Sequence, residues 1–188
     1  MIYTAICGDK EKPRSDIKVF GGDGIFATPR MEAKRYKVLS HLFVNSDVSV
    51  WVDGNISLKV SEEVLVRKWL GDADIAMFKH PYRKRVLEEI AEVCRCNLDT
   101  PFHCYESLRD LSRETFPLVE CSVVIRRHNP ATLMFNETWW SLICRYSSRD
   151  QITAPTALRR TVACGMKLAL KGGNVRSHPM FDYVPHAK

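Results

Sequence analysis

Short apolar runs rich in β-branched and aromatic residues alternate along this chain with segments whose apolar residues recur at helical spacing. The strand candidates read IYTAIC, IKVFGGDGIF, DVSVWVD, DIAMF and LVECSVVIRR. The helix candidates read RMEAKRYKVLSHLF, SEEVLVRKWL, RKRVLEEIAEVCR, FNETWWSLICRY and APTALRRTVACGMKLAL. Strands that alternate with helices favour an α/β fold with a largely parallel sheet. Residues 97 to 117 have no clear period and are predicted to be irregular.

Length and charge narrow the classes of protein that this sequence can represent. A chain of 188 residues is most simply one domain, covering residues 1–188. Its start, MIYTAICGDK, lacks the features of a signal peptide, and no segment approaches the roughly 18 apolar residues of a membrane span. We therefore expect a cytoplasmic protein. The net charge of +6 favours polyanionic partners such as nucleic acid, nucleotide phosphates or an anionic surface.

Seven cysteines form an odd set without a regular framework, which favours a reduced, intracellular protein. The segment CRCNLDTPFHC brings four potential zinc ligands close together, namely Cys94, Cys96, His103 and Cys104. It lacks the paired C-x₂-C spacing of common zinc modules. Ordinary free thiols are therefore the preferred interpretation.

Acidic residues flank two of the predicted strands at opposite ends. Asp72 and Asp74 precede their strand, whereas Asp53 and Asn55 follow theirs, with Gly54 between them. In open α/β sheets the ligand crevice lies beyond the carboxyl ends of the strands, so the second pair is the better site candidate. Carboxylate and amide oxygens suit Mg²⁺ or Mn²⁺. Asp-Gly-Asn is also good turn chemistry, and both interpretations stay open at this point.

Basic residues precede and follow this candidate site along the chain. Lys34, Lys37 and His41 are spaced to share one helical face, and Lys37 lies on the helix before Asp53. A cation at Asp53 together with Lys37 would hold a diphosphate, although a solvated basic face is the simpler alternative. In FKHPYR, Arg83 is a candidate for binding phosphate or sugar hydroxyls beside His80.

Several of these segments occur in an order that resembles a known family. YTAICGD, VSVWVDGNISLK, DIAMFKHPYRKRVLEEIAEV, VECSVVIRRHNP and WWSLICRYSSRDQITAPTALRR are similar to the glycosyltransferase-like domain of plant mucilage-related (MUCI/TOD-type) proteins and their microbial and viral relatives. That family resembles glycogenin-type glycosyltransferases. The resemblance covers residues 2 to 164. It implies a GT-A-like (Rossmann-like) α/β domain with a mixed, mostly parallel central sheet flanked by helices.

The resemblance also implies roles for residues around the donor. Lys37 would contact the donor diphosphate, and Asp53 takes the first metal-ligand position. Asn55 stands where the usual motif has a second Asp, so one negative charge is missing and the need for a metal is open. Late in the chain, His178 is the first candidate for an additional metal ligand and His186 the second. The nucleoside would be cradled by the segment after the first strand, which consists of Ala5, Ile6, Cys7 and Gly8.

On the acceptor side, the resemblance points to two further segments. Glu120 and Ser122 occupy the place of a segment that lies beside the donor sugar. Asp150 and Gln151 correspond to an Asp-Gln pair near the sugar and the acceptor. Asp150 or Glu120 would act as the acceptor-side base or stabilise an oxocarbenium-like centre.

The implied function is metal-dependent transfer of a sugar from a nucleotide-sugar donor to an acceptor hydroxyl, with Mn²⁺ or Mg²⁺ as cofactor. The acceptor could be a glycan, a protein or a modified nucleic-acid base. The alternatives are a nucleotidyltransferase of related α/β fold, which would release pyrophosphate, and a non-catalytic basic nucleic-acid-binding module. The donor, the stereochemical course and the oligomeric state cannot be read from the sequence.

Overall fold

The structure is a computed structural model that describes residues 1–9 and 11–185. Its main sheet has six strands in the spatial order β2-β1-β3-β6-β5-β7, and β4 pairs with β8 in a small second sheet. The strands are β1 (Ile2–Ile6), β2 (Lys18–Gly21), β3 (Val48–Val52), β4 (Ile56–Leu58), β5 (Ile75–Lys79), β6 (Val119–Arg127), β7 (Leu168–Lys171) and β8 (Phe181–Tyr183).

Within the described residues, five of the six main strands run in one direction, and β6 runs against them between β3 and β5. The predicted α/β fold with a mixed, mostly parallel sheet is therefore confirmed. Because β1, β3 and β5 are parallel, their carboxyl ends share one edge of the sheet. Asp53 lies at that edge, and Asp74 lies at the opposite one, as the order of acid and strand in the sequence predicted.

Helices cover the sheet. They are α1 (Pro29–Val38), α2 (Glu62–Leu65), α3 (Val86–Arg95), α4 (Pro101–Leu111), α5 (Pro130–Arg145) and α6 (Asp150–Ala163). Short 3₁₀ turns occur at Ser40–Leu42 and Val175–Ser177, and α2 continues as a π-helical turn at Val66–Leu70. Among the described residues, no helix is long and apolar enough to cross a bilayer.

Alternating strand side chains divide the core into two layers. Trp51 and Met77 pack on the side of α1 and α3 to α6, while Val52 and Phe78 pack on the side of α2 and β8. This alternation is the period of two expected of strands buried on both faces. Trp139 of α5 is fully buried in the first layer.

Arg126 of β6 is fully buried and joins the sheet to two helices. Its guanidinium donates to the main-chain oxygens of Lys37 and Val38, at 2.8 and 3.1 Å, and to Oδ1 of Asn136 at 2.6 Å. The carbonyls at the end of α1 carry the negative end of the helix dipole, which favours a cation there. Arg126 therefore fixes the end of α1 against the sheet.

A β-bulge interrupts the pairing of β6 with β5. Met77 pairs with Val124, but the next residue, Phe78, pairs with Glu120. Bulges re-aim side chains and are frequent beside active sites. Here the bulge sets the direction of the Glu120 and Ser122 side chains, which lie at the same sheet edge as Asp53.

Two expectations about secondary structure were wrong. Residues 101 to 111 form α4 rather than an irregular segment, with Thr100 capping the helix and Pro101 in its first turn. The predicted last helix ends at Ala163, because Gly165 adopts a φ of 97° and the chain then forms the edge strand β7. Apolar residues on a short strand and on a helix are difficult to distinguish by pattern.

The acid pair that precedes β5 gives a test of the fold. Asp74 accepts hydrogen bonds from Nδ2 of Asn129 and from the main-chain N–H of Lys167, both at 2.7 Å. We expect Asp74→Ala to lower the free energy of unfolding by about 1–3 kcal/mol, because two partners lose their acceptor. The exposed neighbour Asp72 is the control, and Asp72→Ala should change stability by less than about 0.5 kcal/mol. Urea denaturation measures both, and equal effects would contradict the assignment.

Candidate functional site

A small cavity of about 110 Å³ lies at the sheet edge formed by the carboxyl ends of the parallel strands. We call it the Lys37 cavity. It brings together parts of α1, the end of β3, the bulge of β6 and the start of α6. Its lining residues are Lys34, Lys37, Asp53, Glu120, Cys121, Ser122, Arg149, Asp150 and Gln151.

At the base of the cavity, the ammonium group of Lys37 bridges two carboxylates. Its Nζ lies 2.7 Å from Oδ2 of Asp150 and 3.2 Å from Oδ1 of Asp53. Lys34, one helical turn earlier, places its Nζ 2.5 Å from the same oxygen of Asp150. Lys37 is 1% exposed, so its charge depends on these carboxylates for compensation. The predicted proximity of Lys37 and Asp53 is confirmed.

The ionisation of these groups follows from burial and from their neighbours. Burial alone raises the pKa of Asp150, but the ammonium groups of Lys34 and Lys37 outweigh it and hold this pKa well below its usual range. Burial opposes the charge on Lys37, yet Asp150 and Asp53 raise its pKa above the usual value. Burial lowers the pKa of Lys34 more than Asp150 raises it. Asp150 and Lys37 therefore form an ion pair at neutral pH.

Asp53 is the most solvent-accessible acid of this group, since its side chain is 39% exposed. Its Oδ1 accepts a hydrogen bond of 2.8 Å from Nε1 of Trp51, and its main-chain N–H donates to the carbonyl of Ser122 at 2.8 Å. Gly54 follows, and a Cβ there would lie 3.1 Å from Cγ of Glu11. The turn therefore passes close to Glu11, an acid that the sequence analysis did not single out.

Glu120 has a different environment from Asp150, although both line the cavity. It is 7% exposed, its Oε1 accepts a hydrogen bond of 3.0 Å from the hydroxyl of Ser122, and its Oε2 is buried without a hydrogen-bond partner. Burial raises its pKa. A buried carboxyl oxygen without a partner carries a free-energy cost, and such cases are concentrated at functional sites.

Gln151 lines the cavity beside Asp150, and Arg149 lines it on the other side of Asp150. Arg149 was missed, although it belongs to the quoted segment SRDQ. Its Nη2 lies 3.9 Å from Oε1 of Glu89, while its Nε is buried without a partner. Glu89 is 1% exposed and lies on the buried face of α3. A charged residue on the apolar stripe of a predicted helix is the sequence signal that could have identified Glu89.

His80 and Arg83 do not line the Lys37 cavity. Arg83 instead pairs with Glu89 through a contact of 2.6 Å, and its Nη2 lies 3.1 Å from Nε2 of His80. Burial and then Arg83 lower the pKa of His80 to about 4, so its ring is neutral at physiological pH. Arg83 therefore compensates the charge of the buried Glu89. Because Glu89 also lies near Arg149, it connects Arg83 with the lining of the Lys37 cavity.

The other predicted donor residues lie farther out. Ala5 is a core residue of β1, Ile6 ends that strand, and Cys7 and Gly8 follow it at the same sheet edge without lining the cavity. Burial raises the pKa of the Cys7 thiol to about 11, so it stays protonated. His41 lies in the 3₁₀ turn beyond α1 rather than beside the two lysines, so the predicted shared face with Lys34 and Lys37 was wrong.

Of the predicted metal ligands other than Asp53, the structure describes Asn55 and His178 but not His186. Asn55 lies in the turn between β3 and β4, and its main-chain oxygen accepts from Val184. His178 packs among Trp69, Phe78 and Phe181, and its Nδ1 accepts from the main-chain N–H of Met180 at 3.3 Å. His186 lies outside the described residues. Among the residues described, no three His, Cys, Asp or Glu side chains are grouped to hold a metal ion.

Among the described residues, the cysteine-rich segment that could have bound zinc also forms no metal site. Within the part of the chain that the structure covers, Cys94, Cys96, His103 and Cys104 do not form a metal-ligand group. His103 instead pairs with Asp99 at 2.9 Å. All seven cysteines are free thiols, namely Cys7, Cys94, Cys96, Cys104, Cys121, Cys144 and Cys164.

Together, the fold and the site define an α/β protein whose charged cavity lies where open α/β sheets bind ligands. The sequence model of the family described as "TOD1/MUCI70, glycosyltransferase-like domain" matches residues 18–172. The chain therefore belongs to the TOD1/MUCI70 glycosyltransferase-like domain family. The predicted family assignment is confirmed.

Two proteins of Arabidopsis thaliana are similar to this chain. "Probable hexosyltransferase MUCI70" is 28% identical over 154 residues, which are 73% of this chain and 26% of that protein. "Alkaline ceramidase TOD1" is 25% identical over 152 residues, which are 72% of this chain and 33% of that protein. The chain thus corresponds to a third or less of the length of these relatives.

Solved structures with a similar arrangement include two glycosyltransferases. Mouse xyloside xylosyltransferase 1 in its apo form has a TM-score of 0.45 at 13% identity, covering 82% of this chain and 62% of that one. A glycosyltransferase involved in glycosylation of the major capsid of PBCV-1 has a TM-score of 0.45 at 8% identity, covering 88% and 76%. Similarity at this level carries no information about donor, acceptor or mechanism.

The buried ion pairs give a pH-dependent prediction. Because the pKa of Asp150 is depressed in the folded protein, its pairs with the lysines stabilise the fold above the unfolded carboxyl pKa of about 3.9, and this stabilisation is lost as the pH falls. At pH 7 we expect Asp150→Asn to lower the free energy of unfolding by about 3 kcal/mol. Urea denaturation between pH 3 and 7 should show the gap between wild type and variant narrowing toward pH 3. A gap that is constant with pH would contradict the ion-pair assignment.

Proposed function

We propose that this domain transfers a sugar from a nucleoside-diphosphate sugar to an acceptor hydroxyl, as a glycosyltransferase of GT-A type. The observation that carries the proposal is the buried Lys37 ammonium held between Asp53 and Asp150 at the ligand-binding edge of the sheet. Membership of a glycosyltransferase-like family supports it. The name of the relative MUCI70, a probable hexosyltransferase, supports a hexose as the transferred sugar.

The donor diphosphate would be recognised by the cations of the Lys37 cavity. Lys37 is fixed in place by its two carboxylates, and Lys34 and Arg149 line the same space. Fixed cations directed at the leaving group stabilise the charge that develops as the bond between sugar and phosphate breaks. The Arg149 side chain is 29% exposed and its contact with Glu89 is 3.9 Å long, so its guanidinium can also bind a phosphate oxygen.

The residues at the end of β3 fit a divalent cation that shares its ligands with the substrate. The Asp53 carboxylate is partly exposed at the cavity, and the oxygens of Asp53 and Asn55 are of the hard type that Mg²⁺ and Mn²⁺ prefer. Mg²⁺ commonly takes one or two protein carboxylates and completes its shell with phosphate and water. When bound, such an ion would neutralise charge on the diphosphate. His178 remains a predicted additional ligand.

The two candidate bases differ in their suitability. Asp150 is held by two ammonium groups that depress its pKa, which makes it a weak base and a good positioning group for Lys37. Glu120 has a raised pKa and a buried oxygen without a partner at the same cavity. Environments that push the pKa values of two carboxyls apart indicate separate roles. We therefore assign proton removal from the acceptor hydroxyl to Glu120, with Ser122 orienting it and Gln151 contacting the sugar.

Asp53 provides the test of the enzyme class. A panel of nucleoside-diphosphate sugars, with Mn²⁺ or Mg²⁺, should show release of nucleoside diphosphate by at least one donor. We expect Asp53→Ala to reduce kcat/KM about 100-fold or more, because the variant loses the carboxylate that would hold the divalent cation and that positions Lys37 at the leaving diphosphate. The control Asp72→Ala should retain wild-type activity.

The same assay separates the alternatives. Release of pyrophosphate instead of nucleoside diphosphate would show a nucleotidyltransferase. Hydrolysis of a ceramide, as the name of the relative TOD1 suggests for that protein, without turnover of any donor would overturn sugar transfer. Acceptors to include are glycans, a protein and a modified DNA base, since polyanion binding is favoured by the charge of +6.

Glu120 gives a prediction in the pH profile. If it removes the proton, kcat/KM should rise as the pH increases through its raised pKa, because only the deprotonated form is active. Glu120→Gln should lower kcat about 100-fold and abolish this acidic limb. Circular dichroism should confirm that the variant is folded. An acidic limb that persists unchanged in Glu120→Gln would assign proton transfer to another group.

A further inference from the structure

A second, larger cavity lies at the opposite edge of the main sheet. It has a volume of about 450 Å³, within the range of small-molecule sites, and we call it the His128 cavity. It is lined where β3 begins and where β6 and α5 meet, by His41, Val44, Asn45, Ser46, Asp47, His128, Asn129, Pro130, Thr132, Leu133 and Asn136. Asp47 precedes Asp53 by one strand length, so the two cavities are about 20 Å apart.

Two imidazole rings provide neutral polar groups in this cavity. Nδ1 of His41 lies 3.1 Å from Nδ2 of Asn136, and Nε2 of His128 lies 2.8 Å from the hydroxyl of Ser49. Each ring therefore uses one nitrogen within the protein, and the other forms no hydrogen bond with any residue that the structure describes. Burial lowers the pKa of both rings, that of His128 to about 4, so both are uncharged at neutral pH.

The rim adds hydrogen-bonding groups that have no internal function. Asn45 and Asp47 are exposed, and their side chains form no hydrogen bond with any residue that the structure describes. An apolar wall faces them, formed by Val44, Pro130 and Leu133, of which Leu133 is 41% exposed. The cavity thus combines one carboxylate, three carboxamides and two neutral imidazole rings with a hydrocarbon surface.

We propose that the His128 cavity is a second binding site, for a neutral pyranose unit of a glycan. Adjacent sugar hydroxyls both donate and accept, which matches carboxylate, carboxamide and imidazole partners. The C–H face of the ring can lie against the apolar wall. Asp47 disfavours an anionic ligand, and no Phe, Tyr or Trp ring is among the lining residues to offer a nucleobase a broad stacking surface.

The His128 cavity shares no lining residue with the Lys37 cavity, but hydrogen bonds in the core connect the two. Asn136 accepts from Arg126, and Arg126 holds the main-chain oxygen of Lys37. Substitution of His41, Asn136 or Arg126 would therefore disturb both cavities. Variants that test the proposal must be chosen from the rim, where the side chains have no internal partners.

The test is titration of the ¹⁵N-labelled protein with neutral disaccharides (lactose, maltose and xylobiose), followed by amide chemical shifts. Digalacturonate and UMP serve as the anionic and nucleobase-containing probes. We expect saturable shifts at residues 41, 45, 47, 128, 129 and 131 to 133 with at least one neutral disaccharide. Residues 34, 37 and 150 should not respond to it.

Two rim variants locate the binding. Asp47→Asn should raise the Kd about tenfold, because a charge-assisted hydrogen bond is replaced by a neutral one. Leu133→Trp should abolish binding by filling the cavity. The matched control Asp72→Asn, at another exposed aspartate, should bind as the wild type does.

The proposal is overturned by any of three results. These are the absence of saturable shifts with all three disaccharides, shifts confined to the Lys37 cavity, and stronger binding of digalacturonate or UMP at the His128 cavity. The outcome does not depend on sugar transfer, since a protein that is inactive in the donor assay can still bind the disaccharides at this site.

Discussion

The buried charge on Lys37 is the constraint around which the site is built. An ammonium group that is 1% exposed stays charged only if carboxylates compensate it, and Asp53 and Asp150 approach it from β3 and α6. Three elements distant in sequence are therefore fixed relative to one another by one cation. Trp51 and Arg126 support the arrangement, the first through Asp53 and the second through the main chain of Lys37. Such support from surrounding residues gives a site its accuracy.

A difference in environment separates two carboxyl groups that the sequence alone could not rank. Asp150 meets two ammonium groups, whereas Glu120 meets one hydroxyl and otherwise burial. The surroundings therefore stabilise the anionic form of Asp150 and destabilise the anionic form of Glu120. This contrast arises from the antiparallel strand β6 and its bulge, which bring Glu120 beside Asp53. It supports the proposed roles, in which Asp150 positions Lys37 and Glu120 transfers the proton.

The position of the site was predictable because strand polarity is a local property. Asp53 follows its strand and Asp74 precedes its own, and the structure places them at opposite sheet edges. Helical spacing correctly placed Lys34 and Lys37 together on α1, although it wrongly added His41. Arg149 was not identified, because its role comes from a contact between the start of α6 and α3 that no local pattern encodes. Glu89 was overlooked, although its charge interrupts the apolar stripe of α3. The helix α4 and the strand β7 were missed because their short patterns are ambiguous.

The position of Arg126 can be filled only by arginine if all of its hydrogen bonds are to be kept. Its planar fork holds two successive carbonyl oxygens and a carboxamide at once, a geometry that a single ammonium group cannot reproduce. Exchange for lysine, the most similar residue in charge, would leave some of these acceptors without a donor. During divergence of related sequences, this interior position should drift far less than the outer surface, whatever substrate each descendant comes to use.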